Sequence, residues 1–161
     1  MKIELKQLFS IVGESRDISY SIETDELSGG DTRAGITDRT FASPVCVKGR
    51  LYNRAGVVFL EYSVDFSLDI VCDRCLKQLR RAYHYDFRHI VVPELSSETG
   101  DNDDYIAANG ESIDMNDIAV TDLLLQLPTK VLCREDCKGL CMVCGADLNE
   151  GGCEHTTASA E

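Results

Sequence analysis

The last thirty residues of the chain hold the residue types with the most specific chemistry. Five of the eight cysteines fall there, separated by three, three, two and eight residues, and a histidine follows the fifth. Thiolate and imidazole groups at such short spacings bind metals, form disulfides or carry out redox reactions. The candidate residues are Cys133, Cys137, Cys141, Cys144, Cys153 and His155.

The segment CMVCG, residues 141–145, favours a metal site among these three chemistries. Two thiolates separated by two residues can bind one zinc ion from a tight turn, and a following glycine adopts the positive φ that lets backbone N–H groups approach sulfur. We therefore expect four of the five tail cysteines to bind Zn²⁺, with His155 as an alternative ligand. Because every ligand is a protein group, this zinc is structural. An iron–sulfur cluster is disfavoured because the polar tail offers little apolar shelter.

A second pair, Cys72 and Cys75, has the same two-residue spacing but no glycine after it. Three interpretations are open: the pair shares a metal with the tail cysteines, forms a dithiol redox centre, or stays reduced at a turn. The redox interpretation is the weakest of the three because it requires a lowered thiol pKa in a thioredoxin-like βαβ context, and the surrounding pattern is one of consecutive strands.

Alternating apolar and polar residues predict the elements that position these pairs. Residues 58–70 alternate with a period of two, which is typical of a long antiparallel strand with one face on the core. Residues 44–52 and 79–92 are also strand-like, and residues 53–56 (NRAG) supply a hairpin turn. The pattern predicts a three-stranded antiparallel meander, with Cys72 and Cys75 at the end of its long strand.

A helix should follow the meander and pack on it. Val120, Leu123, Leu124 and Leu127 form an apolar stripe at helical spacing; Asp114 or Asn116 can cap its start, and Pro128 disfavours its continuation. We expect an α+β fold, with an antiparallel sheet and helix over residues 1–128 and a Cys-rich zinc-knuckle tail over 129–161. An acidic, flexible loop is expected at 94–112. Earlier in the chain, residues 2–9 are predicted as a short helix or strand, 18–22 as a strand and 29–35 as a loop.

Charge limits the partners of the protein. The chain has 16 basic and 28 acidic residues and a net charge of −12, which opposes non-specific binding to nucleic acid but suits a basic protein partner. Any RNA contact must therefore be local. The one basic stretch lies beside Cys72 and Cys75, and its candidate partner-binding residues are Arg74, Lys77, Arg80, Arg81, His84 and Arg88.

Compartment and activity are also constrained. Residues 1–13 carry charge among their apolar residues, and no run approaches the roughly 18 apolar residues of a membrane span. These features favour a cytoplasmic protein, in which thiols stay reduced, and they argue against a disulfide framework. No Gly-rich phosphate loop, serine nucleophile motif or paired-carboxylate site stands out. We expect no enzymatic activity, no small-molecule substrate and no membrane partner.

Three blocks of the sequence resemble the YceD family of large ribosomal RNA subunit accumulation proteins. They are PVCVKGRL at 44–51, VCDRCL at 71–76, and the segment 123–153 containing DCKGLCMVCGADLN. The last block is similar to the form of the family that carries a cysteine tail; Met142 stands where that pattern usually has proline. Other members resemble this chain only through the CDRCL block, which implies that the tail is an accessory to the common function.

The resemblance implies a non-enzymatic factor needed for large-subunit ribosomal RNA to accumulate. Its direct partner is then a precursor of that RNA or a basic ribosomal protein. Two alternatives remain: a dithiol redox protein that uses Cys72 and Cys75, and a zinc-stabilised protein-interaction module unrelated to ribosomes. The sequence does not determine the oligomeric state.

Overall fold

The computed structural model describes residues 1–23, 40–94, 104–108 and 110–155. Eight strands and two helices are formed within these ranges. The strands are β1 (Lys2–Glu4), β2 (Ser15–Ile22), β3 (Thr40–Phe41), β4 (Val45–Arg54), β5 (Val57–Val71), β6 (Gln78–Val92), β7 (Tyr105–Ala107) and β8 (Ser112–Asp114), and the helices are α1 (Lys6–Ser10) and α2 (Met115–Gln126).

Strands β4, β5 and β6 form the expected antiparallel meander. The β4–β5 hairpin turns at Ala55 and Gly56, which both have positive φ, at 54° and 86°. Two such residues in succession make a turn whose twist matches that of the flanking strands. Asn53 stabilises the turn by accepting a hydrogen bond from the backbone N–H of Gly56 at 2.9 Å. The periodicity of two in the sequence thus corresponds to a paired sheet with one buried face.

The main sheet extends beyond the meander on both sides. Its strand order is β2-β4-β5-β6-β7, and β3 pairs with the far end of β5. All pairs are antiparallel except β6 with β7, which is parallel. A separate two-stranded sheet joins β1 to β8. The α+β prediction is therefore confirmed, with the addition of one parallel pair that strands of three residues could not reveal through periodicity.

The core lies between the helices and one face of the main sheet. Val47, Leu60 and Val64 of the sheet are fully buried, as are Leu8 of α1 and Leu123 of α2. In the predicted helical stripe, Leu123 is buried and the three other members are half-buried against the core; Met115 and Ala119 complete the packing face.

Helix α2 begins and ends as its sequence predicts. Asp114 is the N-cap, and its Oδ1 accepts a hydrogen bond from the backbone N–H of Asn116 at 3.0 Å. The chain becomes extended at Leu127, directly before Pro128. Polar contacts also hold the helix to the sheet: Asp122 accepts a hydrogen bond from the hydroxyl of Tyr62, and its Oδ2 lies 2.6 Å from Nε2 of the buried His89.

Some residues expected in loops form strands instead, and other expected loops lie outside the described residues. The loop expected at 29–35 lies outside the described residues, as do residues 95–103 and 109 of the acidic segment. Strands β7 and β8 occupy part of the range 94–112 that the sequence marked as a loop. Within the described ranges, neither helix has the length and apolar content that crossing a bilayer requires.

Candidate metal centres

Four cysteines from two distant segments meet in the first candidate centre, cluster A. Cys72 and Cys75 come from the β5–β6 loop, and Cys133 and Cys137 come from the tail after α2. Their four sulfurs lie within 4.8 Å of one another. The Sγ atoms of Cys72 and Cys137 are 3.8 Å apart, and those of Cys75 and Cys133 are 3.6 Å apart.

These separations can be compared with those of known sulfur chemistry. Zn–S bonds of about 2.3 Å at tetrahedral angles place sulfurs about 3.8 Å apart, whereas a disulfide brings them to about 2.05 Å. All eight cysteines lie in the described ranges, and none is in a disulfide. Cluster A therefore has the sulfur arrangement of a tetrahedral thiolate site that could hold a metal ion.

The second candidate centre, cluster B, is formed by one short segment. Its ligand atoms belong to Cys141, Cys144, Cys153 and His155 and again lie within 4.8 Å of one another. Cys144 and His155 are exposed, whereas in cluster A three of the four cysteines are buried. Cluster B is thus a closed set of four ligands near the surface, and cluster A links two parts of the fold.

The two Cys-x-x-Cys turns have the same backbone hydrogen bonds. The N–H of Leu76 donates to the carbonyl of Cys72 at 2.9 Å, as Gly145 N–H donates to Cys141 at 2.9 Å. The N–H of Cys72 donates to Lys77, and that of Cys141 donates to Ala146. Leu76 and Gly145 occupy the equivalent positions, with φ of 59° and 73°.

Because no glycine follows Cys75, the sequence predicted a metal-binding turn at Cys72–Cys75 less strongly than at Cys141–Cys144. Leu76 adopts the left-handed conformation that glycine adopts without strain, and its side chain is 63% exposed, so little packing compensates for this. The usable signal was the Cys-x-x-Cys spacing itself, directly after a strand.

Backbone and side-chain hydrogen bonds attach the tail to the β5–β6 loop around cluster A. Asp73 and Val131 are joined twice, through Asp73 N–H to Val131 O at 2.9 Å and through Val131 N–H to Asp73 Oδ2 at 2.5 Å. Arg74 donates to the carbonyl of Cys137 at 2.7 Å. At Gly139, φ is 78° and an added Cβ would lie 3.0 Å from the carbonyl oxygen of Arg74. The tail therefore packs closely against the loop.

Asn149 connects the ligand loops of the two clusters, a role that sequence reasoning missed. Its Nδ2 lies 3.5 Å from the sulfur of Cys137, and its Oδ1 accepts the backbone N–H of Lys138 at 2.8 Å. Asp147 orients the amide by accepting from Nδ2 at 2.6 Å. A hydrogen bond to a ligand sulfur orients that ligand and stabilises its thiolate. The sequence string ADLN, directly after the second knuckle, was the available signal.

Each cluster contains one thiol with a lowered pKa and at least one neighbouring thiol with a raised pKa. In cluster A, burial of Cys72 opposes ionisation, but hydrogen bonds from the backbone N–H groups of Cys75, Arg74 and Cys133 lower its pKa to about 6. Burial, with the hydrogen bonds of the neighbouring thiols, raises the pKa of Cys133 to about 12. In cluster B, the backbone N–H groups of Cys144 and Val143 lower the pKa of Cys141 to about 6.

Burial is the main reason that the pKa of Cys133 is raised, hydrogen bonds to the neighbouring thiols add to it, and charge repulsion from Cys137 contributes less. A soft divalent metal ion among the ligand atoms would favour the thiolate forms of these cysteines.

The sequence-predicted ligands are thus divided between two clusters. Cys133 and Cys137 join the pair Cys72 and Cys75, while the remaining three tail cysteines join His155. The eighth cysteine, Cys46, lies elsewhere on β4, with its sulfur 3.7 Å from the hydroxyl of Ser21.

The candidate partner-binding residues are mostly engaged within the chain. Arg81 donates to the carbonyl of Leu132, as Arg74 does to Cys137. Arg80 forms a bidentate pair with Asp69 at 2.7 and 2.8 Å. The hydrogen bond from His84 to Asp65, at 2.7 Å, raises the pKa of His84.

The two remaining candidates are differently placed. Lys77 is exposed in the loop before β6. Arg88 lies further along β6, with its Nε 3.4 Å from Glu61 and its guanidinium over the ring of Phe59. The basic stretch therefore contains residues that hold the tail, residues that pair with Asp65 or Asp69 on the sheet, and the differently placed Lys77 and Arg88.

Comparison with known proteins agrees with this arrangement of sheet and clusters. Residues 60–161 match the family described as "Large ribosomal RNA subunit accumulation protein YceD". "Uncharacterized protein YlbN" of Bacillus subtilis is 22% identical over 136 residues, covering 84% of this chain and 76% of its own length. "Uncharacterized protein Rv2926c" of Mycobacterium tuberculosis is 31% identical over 87 residues, covering 52% of this chain and 42% of its own. No solved structure matches the chain.

The fold and the clusters together define a class: a mostly antiparallel sheet with a packed helix, followed by a Cys-rich segment able to hold metal ions. The family match covers more than half of the chain and includes both clusters. The chain belongs to the YceD family, whose name indicates a role in large-subunit ribosomal RNA accumulation. It spans less than half of the length of the mycobacterial relative.

Proposed function

We propose that this protein is a cytoplasmic, non-enzymatic factor in ribosome biogenesis that supports the accumulation or processing of large-subunit ribosomal RNA. The observation that carries the proposal is the family match over residues 60–161, which extends from within β5 through both clusters. Its direct partner would be a precursor of that RNA or a basic ribosomal protein. The candidates for that contact are Lys77 and Arg88, the two members of the basic stretch that neither hold the tail nor pair with Asp65 or Asp69.

We further propose that each cluster binds one structural Zn²⁺. The sulfur separations of 3.6 and 3.8 Å in cluster A support this assignment, as do the mixed thiolate and imidazole ligands of cluster B. Four protein ligands fill a tetrahedral coordination sphere, so neither ion would have an open position for substrate. Zinc in cluster A would attach the tail of residues 129–161 to the sheet and helix unit of residues 1–128.

This arrangement gives little support to the redox alternative. Cys72 and Cys75 each face a further cysteine at less than 4 Å, across the interface with the tail. A dithiol catalyst needs an accessible sulfur that can attack a partner disulfide, whereas both of these cysteines are buried. The contacts favour a clip that fastens the tail over a redox pair.

Depletion of the protein in its own cells tests the proposal. We expect mature large-subunit RNA to fall relative to small-subunit RNA, with precursor RNA or incomplete large subunits appearing in gradient profiles. Re-expression of the wild-type chain should restore the ratio. An unchanged ratio together with an unchanged ribosome profile after full depletion would reject a role in large-subunit accumulation.

A further inference from the structure

The solvent face of the main sheet carries an unexpected row of apolar side chains. Tyr52 of β4 lies opposite Phe59 of β5, Phe59 lies opposite Ile90 of β6, and Ile90 lies opposite Tyr105 of β7. We call these four residues the apolar row. All are half-buried rather than covered. From Glu61 to Asp69 the outward positions of β5 are all polar, so the row stands beside a regular alternation of polar side chains outside and apolar ones inside.

Two arginines lie over the rings of this row. Tyr52 and Phe59 stack on each other with centroids 5.4 Å apart. The guanidinium of Arg50 lies 4.9 Å from the centroid of Tyr52, and that of Arg88 lies 5.3 Å from the centroid of Phe59. Aromatic faces and guanidinium planes are the two surfaces on which proteins stack unpaired bases.

Glu61 orients this group of side chains. It lies on β5, between Arg50 of β4 and Arg88 of β6. Its carboxylate is 3.4 Å from Nε of Arg88 and 3.8 Å from a terminal nitrogen of Arg50. It also accepts a hydrogen bond from the hydroxyl of Tyr52 at 2.9 Å. The rings and guanidinium groups are therefore held in place before any ligand arrives, which lowers the entropic cost of binding.

A groove runs beside the apolar row. It has a volume of about 530 Å³ and is lined by Arg50, Glu61 and Arg88 on the side of the row and by Asp17, Lys48, Ser63 and Asp86 beyond. The groove thus places three cationic and three acidic side chains next to the arginine-covered rings.

The charge of this face differs from that of the whole chain. The chain carries a net charge of −12, yet the solvent-facing positions of β2, β4, β5 and β6 hold equal numbers of basic and acidic residues. The basic residues are Lys48, Arg50, Arg54, Arg80 and Arg88, and the acidic ones are Asp17, Glu61, Asp65, Asp69 and Asp86. A polyanion is repelled less here than by the chain as a whole.

We propose that this face binds single-stranded RNA, an inference that rests on the proposed function. Successive bases stack on the outer planes of the Arg50 and Arg88 guanidinium groups, which lie over the rings of Tyr52 and Phe59, and on Tyr105, and the adjoining phosphates contact these arginines and Lys48 in the groove. Charge alone does not favour a basic protein here, because the acidic residues of this face are matched by an equal number of basic residues, whereas its guanidinium and aromatic planes suit the stacking of unpaired bases. Base-paired RNA does not fit, since its bases cannot reach the rings.

Fluorescence anisotropy with a 5′-labelled, unstructured 12-nucleotide RNA and the zinc-loaded full chain tests this proposal. We expect Phe59→Leu, which keeps an apolar side chain but removes the ring, to weaken binding about tenfold. Arg50→Gln and Arg88→Gln should each weaken binding several-fold and make it less sensitive to salt. An unlabelled duplex of the same sequence should compete poorly.

Arg80→Gln is the matched control, because Arg80 is an exposed arginine on the same strand and face but outside the row. Variants are compared only if their thermal unfolding midpoints match the wild type. Equal weakening by Arg80→Gln and Arg88→Gln would show diffuse attraction and overturn the proposal. So would a wild-type chain that ignores the RNA, or one that binds a basic ribosomal protein through these residues instead.

Complementation of depleted cells separates this inference from the proposed function. If Arg50→Gln/Arg88→Gln loses RNA affinity but restores the ratio of large-subunit to small-subunit RNA, the proposed function holds and this face is not its RNA site. If the wild-type chain binds the RNA but its depletion leaves the ratio unchanged, the proposed function fails and the binding surface stands.

Discussion

Leu76 allows a quantitative test of the idea that both Cys-x-x-Cys turns are built alike. It has φ of 59° at the position that Gly145 occupies, with φ of 73°, in the second turn. A left-handed conformation costs an L-residue roughly 1–2 kcal/mol, part of which is offset because glycine loses more entropy on folding. Replacing Leu76 by glycine should therefore stabilise the protein by about 1 kcal/mol.

Two further variants isolate the backbone effect. Leu76→Ala removes the side chain but keeps the strained backbone; because the side chain is 63% exposed, we expect a change within about 0.5 kcal/mol. Gly145→Ala is the reciprocal change. An added Cβ at Gly145 meets no atom within 4 Å, so its cost is conformational alone, and we expect a loss of about 1 kcal/mol.

Urea unfolding of the zinc-loaded chain at a fixed free zinc concentration measures these differences as shifts in midpoint at constant slope. Zinc must be held constant because a ligand that binds the folded state adds to the apparent stability. The reasoning fails if Leu76→Gly is no more stable than Leu76→Ala, or if Gly145→Ala is as stable as the wild type. Either result would mean that the two turns do not share the backbone geometry described.

Three further predictions concern the metal centres and the helix cap. Zinc analysis should find two ions per wild-type chain and one in each of the variants Cys75→Ser and Cys144→Ser. A chelator should remove zinc first from the exposed cluster B. One ion in the wild type would contradict the two-centre arrangement. Asn149→Ala should lower zinc affinity at cluster A about tenfold. Competition with a chromophoric chelator measures this affinity in the Cys144→Ser background, which leaves only cluster A to bind zinc. An affinity equal to that of Cys144→Ser alone would rule out the contact with Cys137. Asp114→Asn keeps the N-cap of α2, because asparagine caps as well as aspartate, but it removes the charge that pairs with the Met1 ammonium and lowers the pKa of Asp114. We expect a cost of about 0.5 kcal/mol at neutral pH. This contribution is present above about pH 4 and is lost as the pH falls through the lowered pKa, so unfolding curves of the two proteins should converge in acid, and a constant difference would disprove the linkage.

The long elements could be predicted from sequence because their patterns are strong and local. The alternation at 58–70 and the capped stripe ending before Pro128 each contain the physical cause of the element they predict. Strands β7 and β8, of three residues each, could not be foreseen in this way. Their pairing depends on contacts between segments far apart in the chain, such as Ile3 with Ile113.

The division of the metal ligands was beyond the sequence for a related reason. Spacing shows which cysteines can share a turn, but not which turns meet. Cys133 and Cys137 are nearer in sequence to Cys141 than to Cys72, yet the hydrogen bonds between Asp73 and Val131 bring the tail onto the β5–β6 loop. The same contacts bring the carbonyls of Cys137 and Leu132 within reach of Arg74 and Arg81, two of the candidate partner-binding residues.

Cluster A and the apolar row lie at opposite ends of one hairpin, which makes their proposed roles experimentally separable. Strand β5 runs from Val57 to Val71, with Phe59 near its start and the loop of cluster A directly after its end. At about 3.3 Å per residue, Phe59 lies roughly 40 Å from that loop. A zinc ion in cluster A would therefore lie far from RNA stacked on the row, and we expect it to influence binding only by holding the long hairpin and the tail together. Loss of cluster B, which is formed by the tail alone, should leave RNA affinity at the row unchanged.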